Sequence, residues 1–171
     1  MGDITCFINN AGIVDHSQRV EDYTAERVQK MVDVNLVGSI LCAREAVKRM
    51  STRHGGKGGS IVNLSSAAAL LASPNQYVDY AATKAAIDTF TKGLALEVAE
   101  DGIRVNAVRP GLIDTDIHAS GGIPDRVKQL EHLVPMKRGG SAEEVAKAII
   151  WLASEDASYV TGDSLNVTGG R

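Results

Sequence analysis

The chain has 171 residues, 44% of them hydrophobic, and a formal net charge of -3 at neutral pH. This length is enough for a buried core, and we expect residues 1–171 to form a single domain. The negative charge argues against a nucleic acid or an anionic membrane as partner. No apolar run approaches the roughly 20 residues that are needed to cross a bilayer.

Cysteine and histidine usage indicates neither a disulfide framework nor a metal site. Cys6 and Cys42 fall in a predicted strand and a predicted helix, where we expect small buried thiols in a reducing compartment. The four histidines lack the spacing of metal ligands. The first residues, MGDIT, lack the basic start and apolar core of a signal peptide. We therefore expect no metal and a cytoplasmic location.

The first predicted element is a strand over residues 4–8, which runs directly into Asn9-Asn10-Ala11-Gly12. Asparagine and glycine after an apolar run indicate a tight turn at the carboxyl end of a strand. Open α/β sheets bind their ligands at such strand ends. This turn is therefore a candidate part of a binding site.

A long helix is predicted over residues 24–52, with Thr24 as its N-cap. Asn35 lies beside the apolar face of this helix, where an amide needs hydrogen-bond partners. The glycine-rich segment 54–59 precedes a strand, whereas a phosphate-binding loop would follow one, so we interpret it as a flexible connector. The apolar face recurs at steps of three and four residues: Val28, Val32, Leu36, Ile40, Ala43, Val47 and Met50.

The most informative stretch is Ser60–Lys84, which is predicted to form a buried strand, a loop and the start of a helix over residues 79–100. Tyr80 and Lys84, four residues apart, share one helical face. A free tyrosine has a pKa of about 10, and a neighbouring cation stabilises the phenolate and lowers that value. A serine hydroxyl at the strand end could hold a substrate oxygen beside the phenol. This combination indicates proton transfer at a carbon–oxygen centre.

The second half of the chain continues the alternation of strands and helices. A strand over residues 103–108 ends at Arg109-Pro110-Gly111, and the segment of about 112–135 is predicted to form a lid over a site. Ser141-Ala-Glu-Glu144 has the pattern of a capping box that opens another helix, and residues 160–167 form a turn and a final strand. This order predicts an α/β fold with a parallel sheet covered by helices.

Together these pieces resemble the classical short-chain dehydrogenase/reductase family, from Ile4 to Gly170. The resemblance implies a Rossmann-like parallel sheet with flanking helices, the C-terminal portion of a doubly wound fold. It also implies an oxidoreductase that transfers hydride between NAD or NADP and an alcohol or carbonyl substrate. The motifs that carry it occur in the family's order: Asn9-Asn10-Ala11-Gly12, Asn35 in VNLVG, Ser66 after IVNLS, Tyr80-x-x-x-Lys84, Arg109-Pro110-Gly111 and Tyr159-Val-Thr-Gly.

The same resemblance implies roles for individual residues. Tyr80 would be the general acid/base, and Lys84 would lower its pKa and hold the nicotinamide ribose. Ser66, rather than Ser65, would position the substrate oxygen, and Asn35 would hold a water that links Lys84 to solvent. The cofactor groove would be lined by Asn9, Ala11 and Gly12, and the nicotinamide end would be contacted by Pro110, Gly111, Ile113 and Thr115. Family members usually pair through helices that correspond to 24–52 and 79–100, which implies a homodimer or homotetramer.

One departure from the family is large. The glycine-rich turn that receives the pyrophosphate, and the strand end that selects NAD or NADP, have no counterpart in these 171 residues. We therefore expect the strand over residues 4–8 to be an exposed sheet edge. Three explanations stay open: a fragment of an ordinary reductase, an inactive truncated remnant that acts as a dimerisation or binding module, or a protein whose missing half is supplied by another chain.

Overall fold

The computed structural model describes residues 3–171. Its main sheet has four strands in the order β1-β2-β3-β6, and every neighbouring pair is parallel. A second, smaller parallel pair consists of β4 and β5. The strands are β1 (Cys6–Asn9), β2 (Gly59–Leu64), β3 (Ile103–Pro110), β4 (Ile113–Asp114), β5 (Gly140–Ser141) and β6 (Ser164–Val167). The predicted parallel α/β architecture is confirmed, and β1 is an edge strand of the sheet described here.

Seven α-helices lie among these strands in the described residues. They are α1 (Ala25–Val32), α2 (Ser39–Met50), α3 (Ala68–Leu71), α4 (Val78–Val98), α5 (Ile117–Ser120), α6 (Arg126–Leu130) and α7 (Ala142–Ala153). Short 3-10 turns occupy Val20–Asp22, Thr52–His54, Ala99–Asp101, Glu131–Leu133 and Glu155–Ala157.

The long helix that was predicted over residues 24–52 contains a wider turn. A π-helical turn, Asp33–Gly38, joins α1 to α2, and the Thr24 side chain accepts a hydrogen bond from the Arg27 amide as the predicted N-cap. A π turn holds more residues than an α turn, so the buried positions recur every fourth residue through it. The predicted apolar face is therefore one residue out of register, except at Ala43 and Met50, which are buried as predicted. The buried positions are Arg27, Met31, Asn35, Ser39, Ala43, Ala46 and Met50.

Two apolar layers cover the two faces of the sheet. On one face α2 and α4 pack against the sheet, and on the other face α7 packs against it. Neighbouring residues of β2 alternate between the layers, since Ile61 belongs to the first and Val62 to the second. Both side chains are fully buried. The sheet is thus held between helices, and its strand ends have fixed positions.

The glycine-rich segment before β2 is a tightly packed turn, and its interpretation as a flexible connector is wrong. Gly58 has φ +73°, and a Cβ there would lie 2.3 Å from the Gly102 carbonyl oxygen. A Cβ on Gly59 would lie 1.9 Å from the Thr5 carbonyl oxygen. Only glycine allows these backbones to approach so closely.

Both cysteine thiols are free and both residues are exposed, so the prediction of buried thiols is wrong. Cys6 lies on the edge strand, and Cys42 lies on the outer side of α2. Within residues 3–171, no helix is both long enough and apolar enough to cross a membrane.

Candidate active site

The carboxyl ends of β1, β2 and β3 open onto one cavity of about 650 Å³. Parallel strands present these ends at the same edge of a sheet, which is why residues far apart in sequence meet there. Of the predicted site residues, those on the cavity wall are Gly12, Ser66, Tyr80, Lys84, Pro110, Gly111, Ile113 and Thr115.

Tyr80 lies in the first turn of α4 and faces Ser66 across the cavity wall. Burial raises the pKa of the Tyr80 phenol above its ordinary value, while a hydrogen bond with the Ser66 hydroxyl opposes this rise. The Tyr77 ring meets the Tyr80 ring edge to face, with 6.1 Å between the ring centroids. Tyr80 is therefore a protonated phenol at neutral pH, the form that can donate a proton.

Lys84 lies one turn further along α4 and is only 4% exposed. Its ammonium nitrogen Nζ donates a hydrogen bond to the Leu64 carbonyl oxygen at 2.7 Å and lies 5.6 Å from the centroid of the Tyr80 ring. Burial lowers the pKa of Lys84 to about 8, against the opposing charge of Asp88. The predicted juxtaposition of Tyr80 and Lys84 is present. The expected depression of the Tyr80 pKa is not, because burial raises this pKa and outweighs the opposing hydrogen bond with Ser66.

The two serines at the end of β2 have different surroundings. The buried Ser65 hydroxyl donates to the backbone carbonyl of Lys84 at 3.1 Å, which fastens α4 to the strand end. The Ser66 hydroxyl accepts a hydrogen bond from the Ala68 amide at 3.1 Å and lies near the Tyr80 phenol. Ser66, and not Ser65, therefore has its hydroxyl beside the phenol of Tyr80.

Asn35 is fully buried and fastens the loop that follows β1. Its Nδ2 donates to the Ile13 carbonyl oxygen at 2.9 Å, and its Oδ1 accepts from the Ile13 amide at 2.8 Å. The π turn places the side chain toward this loop, and π turns are frequent at functional sites. A Cβ on Gly12 would lie 3.2 Å from Lys84 Nζ and 3.4 Å from Asn35 Oδ1. The loop, the amide and the lysine therefore pack as one unit.

Two residues predicted to line the cofactor groove lie away from the cavity. The Asn9 side chain is buried and donates to the Ser39 carbonyl oxygen at 2.9 Å and to Asn63 Oδ1 at 3.1 Å. It therefore ties β1 to α2 and β2. Ala11 is exposed and does not line the cavity. Asn10, between them, does line it, and the sequence motif did not distinguish these neighbours.

A buried ion pair fixes the start of α4. Arg27 Nε donates to Asp79 Oδ2 at 2.8 Å, and both side chains are less than a tenth exposed. The Arg27 guanidinium also lies 4.2 Å from the centroid of the Tyr23 ring. The Tyr23 hydroxyl accepts a hydrogen bond from the Val78 amide at 3.0 Å. The Tyr80 amide in turn donates to Asp79 Oδ1 at 2.9 Å. These contacts connect the start of α4, which carries Tyr80, to α1. No short sequence motif predicted them.

Several residues on the cavity wall were not predicted. Tyr77, which has no lysine four residues later, packs against Tyr80 and is itself 9% exposed. His118 and Arg126 come from the lid segment 112–135, where short helices and turns bring them to the cavity. The His118 Nε2 lies 2.8 Å from the Ile113 carbonyl oxygen, and burial lowers the pKa of this histidine. The lid sequence has no motif from which these residues could have been found.

The donor groups around the cavity fit a nicotinamide and its ribose. The Lys84 ammonium, the Tyr80 hydroxyl and the Asn10 amide can serve a ribose diol, and the Thr115 hydroxyl can serve a carboxamide. The small residues Gly12 and Gly111 leave room for a ring at the strand ends. The predicted type of cofactor therefore fits this site.

The site therefore combines a parallel α/β sheet with a serine at one strand end and a tyrosine and a lysine on the adjacent helix α4. The family model described as "Enoyl-(Acyl carrier protein) reductase" matches residues 1–171. With this match and the relatives below, the chain belongs to the short-chain dehydrogenase/reductase family, whose members are NAD(P)-dependent oxidoreductases.

Similar proteins cover nearly all of the chain. "Uncharacterized oxidoreductase YgfF" of Escherichia coli is 56% identical over 98% of this chain and 68% of its own length. "3beta-hydroxysteroid dehydrogenase 1" of Eggerthella lenta is 42% identical over 99% of this chain and 64% of its own length. "Glucose and ribitol dehydrogenase homolog" of Oryza sativa subsp. japonica is 40% identical over 99% of this chain and 57% of its own length. The chain thus spans between half and about two thirds of these relatives.

A solved structure shows the same fold. The 3-ketoacyl-(acyl-carrier-protein) reductase from Brucella melitensis, complexed with NADH, superposes with a TM-score of 0.90 at 32% sequence identity. The match covers 99% of this chain and 68% of that one. The Rossmann-like sheet that the sequence motifs implied is therefore confirmed.

Proposed function

We propose that the protein carrying this chain interconverts an alcohol and a carbonyl compound with NAD or NADP, and that Tyr80 is its general acid/base. The single observation that carries this proposal is the cluster of Tyr80, Ser66 and Lys84 on one cavity wall at the strand ends. When bound, the nicotinamide supplies or accepts the hydride. The protein's own groups handle the proton that accompanies it.

In the reducing direction, the Ser66 hydroxyl holds the substrate oxygen beside the phenol, and Tyr80 donates its proton to that oxygen. The raised pKa of Tyr80 keeps this proton in place at neutral pH. The buried Lys84 ammonium stabilises the phenolate that forms, because a charge in a poorly solvated site acts strongly. We propose that Asn35 keeps the loop after β1 against Lys84 and, as the family resemblance implies, holds a water that returns a proton to this pair.

We further propose that residues 1–171 act as one domain and that the lid, residues 112–135, closes over the substrate. Ile113, Thr115 and Ile117 of the lid reach the cavity wall. Pro110 and Gly111 lie at the end of β3 beneath them. These positions support a role in contacting the nicotinamide end and the substrate.

Pairing with a second copy is the proposed assembly. The long helix formed by α1, the π turn and α2 carries partly exposed apolar side chains on its outer face: Val28, Val37, Ile40 and Leu41. On α4, Leu96 is 71% exposed. These helices were expected to form a dimer or tetramer interface, and solvent exposure of such a set favours burial against a partner. The two unpaired, exposed thiols are compatible with a reducing, cytoplasmic location.

The test is cofactor-dependent reduction of a carbonyl panel, followed by nicotinamide absorbance with NADH and with NADPH. Turnover of at least one carbonyl that requires one of these cofactors is expected. Binding of cofactor or self-association without turnover across the panel would favour the alternative, a binding or dimerisation module. Light scattering of the same sample gives the oligomeric state, and a monomer would contradict the proposed assembly.

A further inference from the structure

The wall of the cavity is cationic. Among the residues that the structure describes, its wall includes Lys84, Arg126 and Arg171, together with His118, and contains no aspartate or glutamate. Arg126 and Arg171 both lie close enough to Tyr77 for their charges to act on its phenol. A cavity wall with this charge distribution favours an anionic ligand.

Arg126 is fixed in place by contacts that leave part of its guanidinium free for a ligand. Its Nη2 donates to Gln76 Oε1 at 2.6 Å, and its guanidinium carbon lies 5.1 Å from the centroid of the Tyr77 ring. Within residues 3–171 it forms no ion pair with a carboxylate. A guanidinium has five N–H donors in a planar fork that matches a carboxylate. The guanidinium of Arg126, held by Gln76 and Tyr77, is therefore suited to bind a carboxylate.

Much of the cavity wall is apolar. Tyr77 links Arg126 and Tyr80, since its ring contacts the Tyr80 ring on one side and the Arg126 guanidinium on the other. Aliphatic side chains complete the wall of the same cavity: Leu71, Ile117, Val145, Ala146 and Ile149. A ligand that fills this space needs an apolar body.

We propose that the substrate is an oxo acid or the corresponding hydroxy acid, whose carboxylate binds Arg126 and whose oxygen-bearing carbon reaches Tyr80 across an apolar body. This inference rests on the proposed function, because it takes the cavity to be the substrate site. Arg126 is then a specificity-determining residue that the lid contributes. Tyr77 is the surface along which the apolar body packs.

Arg126 could instead act only as a latch, because its bond to Gln76 ties the lid to the loop before α4. The two roles predict different results. A latch affects every ligand of the cavity equally, whereas a carboxylate-binding residue affects the charged ligand alone.

The experiment measures binding of matched ligand pairs to the purified protein without cofactor. The probes are linear oxo acids of increasing chain length, with the oxo group near the end distant from the carboxylate, each paired with its methyl ester. Calorimetric titration gives Kd for both members of every pair. We expect at least one acid to bind about tenfold more tightly than its ester, with a preference that weakens at high salt.

Two substitutions decide the origin of the preference. Arg126→Gln should abolish the difference between acid and ester, and Arg126→Lys should restore part of it. Lys128→Gln removes a charge from the same short helix at an exposed position that does not line the cavity, and it should leave the preference unchanged. Thermal melting confirms that each variant is folded.

Several results would overturn the inference: no acid of the series binds, acid and ester bind equally, the preference survives Arg126→Gln, or Arg126→Gln weakens both ligands alike, as a latch would. Failure of the proposed function gives a different result. In that case acids would bind with an Arg126-dependent preference, but neither NADH nor NADPH would reduce them.

Discussion

The floor of the cavity, formed by the carboxyl ends of β1, β2 and β3 and the start of α4, is built differently from the lid. Lys84 on the cavity wall and Asn35, which packs behind it against Gly12, are buried, and every polar atom of their side chains has a partner. The lid, residues 112–135, contains two short α-helices, one 3-10 turn and the two-residue strand β4, and most of its residues are exposed or half-buried. The difference indicates that the proposed catalytic groups are held by the sheet and the long helices, while the segment that we propose to contact the substrate is less firmly packed.

Removal of the proposed proton donor, Tyr80, should change activity more than any other substitution considered below. Tyr80→Phe, made in the protein that carries this chain, should reduce turnover by roughly 10²- to 10⁴-fold, the usual contribution of general acid–base catalysis. Cofactor affinity should change little. Steady-state kinetics and a nicotinamide fluorescence titration measure the two quantities.

Tyr77→Phe is the matched control, because it removes a hydroxyl from the neighbouring ring of the same cavity. It should keep most of the activity. If the two variants lose activity equally, the assignment of Tyr80 as the acid/base is wrong.

The next effect concerns stability, through the ion pair that places α4. Arg27→Ala leaves the buried Asp79 carboxylate without its partner and should lower the free energy of unfolding by about 3–5 kcal/mol. Urea denaturation followed by circular dichroism measures the change. Arg19→Ala breaks an ion pair with Glu21 in which both side chains are more than half exposed, so a change below about 0.5 kcal/mol is expected.

Burial of the charged Lys84 should lower the free energy of unfolding. Its pKa falls from 10.5 to about 8 on folding, so keeping it charged costs the folded state on the order of 3 kcal/mol. Lys84→Met removes this cost but leaves the Leu64 carbonyl without its donor, so a net gain of about 1–2 kcal/mol is expected at neutral pH, together with loss of activity.

The pH dependence of this gain has a definite sign. Between about pH 8 and 10.5 the unfolded chain holds a lysine proton that the folded chain has released, so unfolding of the wild type becomes more costly as pH rises. The advantage of Lys84→Met should therefore be full below pH 8 and disappear above 10.5. A gain that is independent of pH would contradict a buried, charged Lys84.

The smallest effect tests the packing of the loop after β1. Gly12→Ala places a methyl group 3.2 Å from Lys84 Nζ, which must shift, and we expect activity to fall about tenfold with little change in stability. Gly93→Ala is the control, since a Cβ there meets nothing within 4 Å in the middle of α4. That substitution should raise stability by about 0.5–1 kcal/mol and spare activity.

The parallel sheet and the position of Tyr80 and Lys84 could be predicted because both depend on local patterns. Strand 60–64 and the helix that begins near residue 79 follow from apolar runs, and the four-residue spacing places both side chains on one face. The capping box at Ser141 and Glu144 was predicted for the same reason, and both of its hydrogen bonds are present.

Other features depend on contacts between distant segments. The π turn at Asp33–Gly38 changes which residues of the first long helix are buried, because the side chain of Asn35 is directed toward its hydrogen-bond partner Ile13. Asn9 and Asn10 are identical in type, and only the direction of the strand decides which of them is buried. Arg126 reaches the cavity through the path of the lid, which no repeat or motif specifies.

We propose above that the strand ends form the nicotinamide and substrate site. Hydrogen–deuterium exchange of the protein with and without saturating NADH or NADPH tests it most directly, because it reports which backbone amides the cofactor protects. We predict protection at residues 10–13, 64–67 and 109–115. Saturable binding that protects other segments and leaves these three unchanged, or the absence of binding by either cofactor, would rule out this location of the site.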